Sequence, residues 1–256
     1  MAQEVEKING IAFSSIEKIN GRTDANIEKI NGLSFEAAAF GPPEFDALGV
    51  ASGYSVPSTA TFQHTCGTAA GRGLLVGVMQ RHSGSAPSAP TGVTYDGTAM
   101  TQEGTATTDV VRTTVFSLIN PSSGENDCVV TFATTGGSNY VLGSLSFEGL
   151  NQTDAFEKAF EVAHSATGVN GENVTASQDT SSVAGQFVAS FISWSGNPNN
   201  EALGTNMSGL VSSFLNHGYG YQEASGTTTT MSYNYQNNAS HTQAHVGVRV
   251  LADVYS

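Results

Sequence analysis

The chain has 256 residues, of which 22 are acidic and nine basic, giving a formal net charge of −13 with only 12% of residues charged. That length suits one large β domain plus a small element, and plentiful Gly, Ser, Thr and Asn among recurring β-branched and aromatic residues is not a disordered composition. The acidic balance counts against nucleic acid and anionic membrane as partners, and no stretch approaches the roughly 20 apolar residues of a membrane span.

Residues 1–7 lack both a basic start and an apolar run, so no secretory leader is expected and the chain is expected to be soluble and made in a cytoplasm. One hexapeptide then occurs three times, at 5–10, 16–21 and 27–32, each copy reading Val/Ile-Glu-Lys-Ile-Asn-Gly and each eleven residues after the last. Eleven residues is three helical turns, which would put Val5, Ile16 and Ile27 on one stripe. Asn-Gly in every copy opposes that reading, because glycine costs about 1 kcal/mol in a helix interior and Asn-Gly suits the positive φ of a tight turn. Short extended segments punctuated by turns are therefore expected. A unit this small cannot enclose a core, so Val5, Ile8, Ile16, Ile19, Ile27 and Ile30 must be buried against other units or another chain. Three linked copies also permit avidity.

Ala37-Ala38-Ala39-Phe40-Gly41-Pro42-Pro43 breaks the repeat and reads as a linker, since paired prolines continue neither helix nor central strand. The expected division is an assembly arm with its linker over 1–40 and a β-sandwich domain over 41–256. Short alternating or apolar runs follow, separated by Gly, Pro, Asn and Ser clusters. Strands are expected at Leu74–Met79, Val93–Tyr95 with a hairpin at Asp96-Gly97, Ala99–Thr101, Val110–Ile119, Cys128–Phe132 and Val141–Phe147. Further strands are expected at Phe187–Trp194, Tyr219–Tyr221, Thr228–Tyr235 and Val246–Leu251, with a helical turn around Ser208–Leu215. The fold class is thus all-β, a sandwich or jelly roll preceded by the arm.

A weak internal duplication accompanies this pattern. Gly73–Met79 followed by His82-Ser83-Gly84 lines up with Gly185–Phe191 followed by Trp194-Ser195-Gly196. Val129–Phe132 and Gly143–Phe147 likewise resemble Met231–Tyr233 and Gly247–Val250. Two similar halves facing each other would make a two-sheet sandwich with a shared core.

Chemistry is sparse. No Gly-x-Ser-x-Gly elbow, phosphate loop or Cys-x-x-Cys occurs. His241 and His245 have the spacing of a helical metal pair, but on a strand four residues span about 13 Å. Asn197, Asn199, Asn200 and Glu201 form an oxygen-rich segment read as a loop that could hold calcium. Cys66 and Cys128 are expected as buried free thiols, with a single cross-strand bridge left open. His82, Trp194, His217, Tyr219 and Tyr221 flank strand ends, where aromatics can stack on sugar rings. No acid/base pair is recognisable, so neither an enzyme, a metal centre nor a cofactor is expected.

The tripled Glu-Lys-Ile-Asn-Gly motif at 5–10, 16–21 and 27–32 resembles N-terminal repeats in virion structural proteins of tailed bacteriophages, marine and cyanobacterial phages especially. The segments at 93–97, 120–124 and 147–150 are similar, more loosely, to a β-sandwich family of phage and bacterial surface proteins. The resemblance implies a fibre, appendage or decoration subunit located in the virion and assembled in the host cytoplasm. Its partners would be other virion proteins and sister subunits, as a trimer by analogy. The alternative is a carbohydrate-binding module contacting host glycans through His82, Trp194, Tyr219 and Tyr221. The resemblance supplies no catalytic residues.

Overall fold

The computed structural model describes residues 43–137, 139–167, 171–195, 197–212, 216–236 and 240–252, together with six two-residue strands before them. The chain divides into two compact units, Met1–Ala39 with Val254–Ser256, and Phe40–Asp253.

In the first unit β1 (Lys7–Ile8) pairs antiparallel with β2 (Ile11–Ala12), β3 (Lys18–Ile19) with β4 (Arg22–Thr23), and β5 (Lys29–Ile30) with β6 (Leu33–Ser34). Ile8 faces Ile11, Ile19 faces Arg22 and Ile30 faces Leu33. Two residues separate each pair, Asn-Gly every time, which is the shortest hairpin connection and the dipeptide it favours. The repeat is therefore a hairpin repeat, not a helical stripe. Val5, Ile16 and Ile27 lie outside the described residues.

In the second unit β7 (Glu44–Gly53), β8 (Thr59–Cys66), β9 (Gly73–Arg81), β10 (Pro90–Tyr95), β11 (Thr98–Ala99), β12 (Thr101–Thr107), β13 (Val111–Ile119), β14 (Gly124–Phe132) and β15 (Asn139–Glu148) form a first group. They make two sheets, ordered β11-β10-β14-β8 and β12-β13-β9-β15-β7. A second group holds β16 (Phe156–Thr167), β17 (Asn173–Ser181), β18 (Phe187–Ser195), β19 (Asn197–Leu203), β20 (Ser208–Ser212), β21 (His217–Glu223), β22 (Thr228–Gln236) and β23 (Ser240–Val250). Its sheets run β20-β21-β18-β23-β16 and β19-β22-β17. Matching the groups strand for strand, with β7 equivalent to β16 and β15 to β23, both five-stranded sheets have the same order, and so do the three-stranded runs beside them. Each group is a jelly roll. In the first, β11 still pairs with β10 on one sheet before the chain crosses as β12 to the edge of the other.

The duplication is thus present in the strand order, but the arrangement differs from a two-sheet sandwich. Each half is already two sheets, and the five-stranded sheets of the halves pack on each other, so four sheets are layered. The core between the halves contains Leu75, Met79, Val115, Leu145 and Phe147 from one side and Phe187, Phe191, Tyr219, Val246 and Val248 from the other. Outer cores lie within each half, around Phe62, Val76, Tyr95 and Val130 in the first and around Ile192, Trp194, Tyr233 and Tyr235 in the second. One detail of the sequence match shifts by a residue: a Cβ on Gly143 would meet the Tyr219 ring in the shared core, whereas one on Gly247 would meet Phe160.

Local sequence explains the layers. β8 alternates exposed Thr59, Thr61, Gln63 and Thr65 with buried Ala60, Phe62, His64 and Cys66, as an outer strand should. β9 and β18 are buried along almost their whole length because both of their faces are covered, and they read as continuous apolar runs. Gly77 and Gly143 leave room for rings from the facing sheet, since a Cβ at either would lie within 2.6 Å of Phe191 or Tyr219. Those two rings stack on each other at 5.8 Å and 8°. Polar bonds stitch the junction at one end: Thr113 Oγ1 donates to the Ala244 carbonyl at 2.8 Å and Ser193 Oγ to the Arg112 carbonyl at 3.0 Å.

The Asp96-Gly97 hairpin is present, with Tyr95 facing Thr98 and φ of 49° and 73° at the two turn residues, both positive as a type I′ turn requires. Of the helical turn expected around Ser208–Leu215, the part at Ser208–Ser212 is instead strand β20, paired with β21, and 213–215 lie outside the described residues. Cys66 and Cys128 are free and buried in the first half's outer core. Burial pushes both thiols up, Cys128 to about 12.

Candidate functional site

The four residues expected to contact a ligand do not converge on a surface. Trp194 is 0% exposed and stacks on Tyr235 at 5.2 Å and 17°. Tyr219 is also fully buried, and its hydroxyl donates to the Gly49 carbonyl at 2.7 Å. Tyr221 is half-buried and stacks on Phe45 at 4.0 Å and 15°. Only His82 sits in a loop, half-buried, with Nδ1 at 3.2 Å from Ser85 Oγ. The physical reason is the layering. β18 and β21 belong to a sheet covered on both sides, so aromatics near their ends are core whichever way they point. His217 is buried too, with Nε2 at 3.1 Å from Asn139 Oδ1.

Sequence reading missed a polar cluster inside the first half. His64 Nδ1 lies 2.9 Å from Ser144 Oγ, a spacing that would suit a base beside a nucleophile. Ser144 is 0% exposed, however. The nearby Asp46 carboxylate is occupied, accepting from the Gly67 amide at 2.8 Å and from Ser146 Oγ at 2.7 Å. Burial pushes His64 down to about 4 despite Asp46, so the ring is neutral at ordinary pH. A substrate has no path to this pair. Its signal in the sequence was thin, because His64 and Ser144 are 80 positions apart and neither stands in a motif.

Other buried imidazoles cluster in the second half. His245 is wedged between Phe160 and Tyr233, with ring centroids at 4.7 and 5.3 Å, and neither of its nitrogens has a hydrogen-bond partner. Burial pushes it down to about 3, and pushes His217 to about 3 with help from the Arg81 charge. His241 is lowered by burial and by the neighbouring His164. His241 and His245 lie along one strand, as the spacing argument required. The oxygen-rich segment at 197–201 is strand β19, not a loop. Glu201 there is raised by burial, and its carboxylate oxygens have no hydrogen-bond partner. Among the described residues no group of three or more His, Cys, Asp or Glu could hold a metal ion.

On the outer face of the first half, Gln63, Asp96, Glu125, Asn126 and Asp127 line an open, acidic groove. It adjoins the Asp96-Gly97 turn and has no enclosing wall.

No family model matches the chain, and no curated protein does. Among solved structures, one similar chain comes from an archaeal virus and is described by its triple jelly roll fold and turret assembly. The two share 13% identity over 80% of this chain and 60% of that one, with a TM-score of 0.24, so this chain spans less than two thirds of that one's length.

Proposed function

We propose that the chain is a structural subunit of a bacteriophage virion, of fibre, appendage or decoration type, anchored through residues 1–36 and presenting its duplicated jelly roll outward. The observation that carries this reading is the series of three hairpins, Ile8 facing Ile11, Ile19 facing Arg22 and Ile30 facing Leu33. An isolated two-stranded hairpin is marginal in water, so three in a row serve best as elements that gain cover on another surface, with avidity from linkage. That surface belongs to other virion proteins or to sister subunits. The body complements the reading, because most of its large aromatic side chains are packed into internal layers.

The test replaces Ile8, Ile19 and Ile30 with Asp together and quantifies the subunit in gradient-purified particles by mass spectrometry. Incorporation should be abolished while the near-ultraviolet circular dichroism of the body is unchanged. Normal incorporation of the triple variant would sink the anchor.

A further inference from the structure

The duplication offers an internal control for one surface. Strands β7 and β16 occupy the same edge position in their five-stranded sheets, yet they are protected very differently. β16 carries Glu157, Lys158, Glu161 and His164, and β12 of the facing sheet packs along it. There Glu161 Oε1 accepts from the Thr105 amide at 2.7 Å, Lys158 pairs with Glu161 at 3.1 Å, and Arg249 pairs with Glu157. Charges and cover of this kind keep an edge from pairing with other chains.

β7 lacks the charges, and its cover comes on one face only, from β8 of its own half. From Ala47 to Tyr54 it contains no charged residue, and among the described residues β20 does not close over it as β12 closes over β16. Asp46, at its start, is turned to internal bonds. The large exposed hydrophobics described are Leu48 at 44%, Val50 at 46%, Tyr54 at 65% and Val183, so three of four fall on or directly after this strand. Its bulge lies at the acidic end, and Ala47 to Gly53 pair with β15 in unbroken register. What remains is a straight, uncharged, apolar edge, a template for another strand.

We infer that β7 is the interface with a second copy of this chain, pairing antiparallel with β7 of that copy about a two-fold axis at Gly49. The sequence around Gly49 is self-complementary in that register. Leu48 of one copy faces Val50 of the other, Ala47 faces Ala51, and the two glycines face each other, with paired residues on the same face of the sheet. The two Asp46 side chains then lie six residues apart, roughly 20 Å, beyond the Debye length of about 8 Å, so the acidic ends do not meet. A two-fold contact of one edge with itself is closed and stops at the dimer. It joins the two five-stranded sheets into one continuous sheet. This contact is independent of anything the hairpin arm does.

Sedimentation equilibrium of the full chain carrying Ile8→Asp, Ile19→Asp and Ile30→Asp removes association through the arm from the reading. That protein should have twice the chain mass at micromolar concentration, and adding Leu48→Lys with Val50→Lys should return it to the mass of one chain with unchanged circular dichroism. As a second readout, Leu48→Cys with Val50→Cys should give a disulfide-linked dimer on mild oxidation, against a background in which Cys66 and Cys128 are buried. A monomeric arm variant, a mass that the lysine pair leaves at two chains, or no cross-linked dimer overturns the inference. Dimerisation lost with the arm alone would overturn it too, while leaving the arm's anchoring role intact.

Discussion

The two jelly rolls share a strand order but fill it with different chemistry. Between its sheets the first packs mainly aliphatic side chains, Leu74, Val76, Val78, Val93 and Val130 among them, with the thiols of Cys66 and Cys128 and the rings of Phe62, Tyr95, Phe116 and Phe132. The second packs Trp194, Tyr233 and Tyr235 around Ile192, with His245 against Tyr233. A jelly roll is therefore specified here by alternation and strand order, while the identity and volume of the filling are free to diverge. The choice has consequences, because rings with polar atoms need partners. The Tyr233 hydroxyl donates to the Ser190 carbonyl and the Tyr235 hydroxyl meets Gln243 Oε1. Both halves carry buried imidazoles, His64 in the first and His217, His241 and His245 in the second, so the second half should make the larger contribution to the pH dependence of their shared stability.

Truncating the second half's core should have the largest effect. Trp194→Ala is expected to cost about 3–5 kcal/mol in urea unfolding, as for a large buried aromatic. A ligand-contact role would instead leave stability unchanged. Next comes the junction between the halves, where Gly77→Val would drive a side chain into Phe191 and cost about 1–3 kcal/mol by overpacking. The equivalent strand in the second half has Ala189 at the matching position, so Ala189→Gly should be far milder.

Acid sharpens the contrast. His217 and His245 have folded pKa values near 3 and His64 near 4, against 6.5 for the ordinary imidazole. Below pH 6.5 the unfolded chain binds protons that the folded chain refuses, so stability is full above that value and falls as pH drops toward 4. Each histidine contributes a slope of up to about 1.4 kcal/mol per pH unit. His245→Phe removes one such group, one whose nitrogens have no partners to lose. The variant should flatten the pH profile of the unfolding midpoint, and an unchanged profile would show that His245 is hydrated. The smallest effect is expected from His82→Ala, in an exposed loop, within about 0.5 kcal/mol of wild type.

What could be read from the sequence follows from burial on one or two faces. β9 and β18 are largely apolar runs because they lie in layers covered on both sides, and the Asp96-Gly97 turn announced its hairpin. The edge and outer strands were harder. β7 (Glu44–Gly53) is built from small residues, and β17 (Asn173–Ser181) is mostly polar with only Ala176 and Thr180 buried. β16 (Phe156–Thr167) spaces its charges and apolar residues without strict alternation and carries a bulge between Lys158 and Phe160. The aromatics misled for a related reason. Trp194, Tyr219 and Tyr221 stand beside turns in the sequence, and a strand-end aromatic looks the same whether its sheet is outermost or has another layer on top. His64 with Ser144, and the exposed Leu48 and Val50, needed the fold itself, since only the third dimension shows which serine is enclosed and which edge is bare.

The shared core makes a demand that separate domains would not. With Phe147, Phe187, Phe191 and Tyr219 contributed from both sides of one cluster, neither half can unfold without exposing the other's apolar face. Differential scanning calorimetry of the full chain at pH 7 tests this most directly. The two jelly rolls should melt in one transition with a calorimetric-to-van't Hoff enthalpy ratio of about 1, and Gly77→Val should lower that single midpoint. Two resolved transitions, with only one of them moved by Gly77→Val, would contradict a fused double jelly roll.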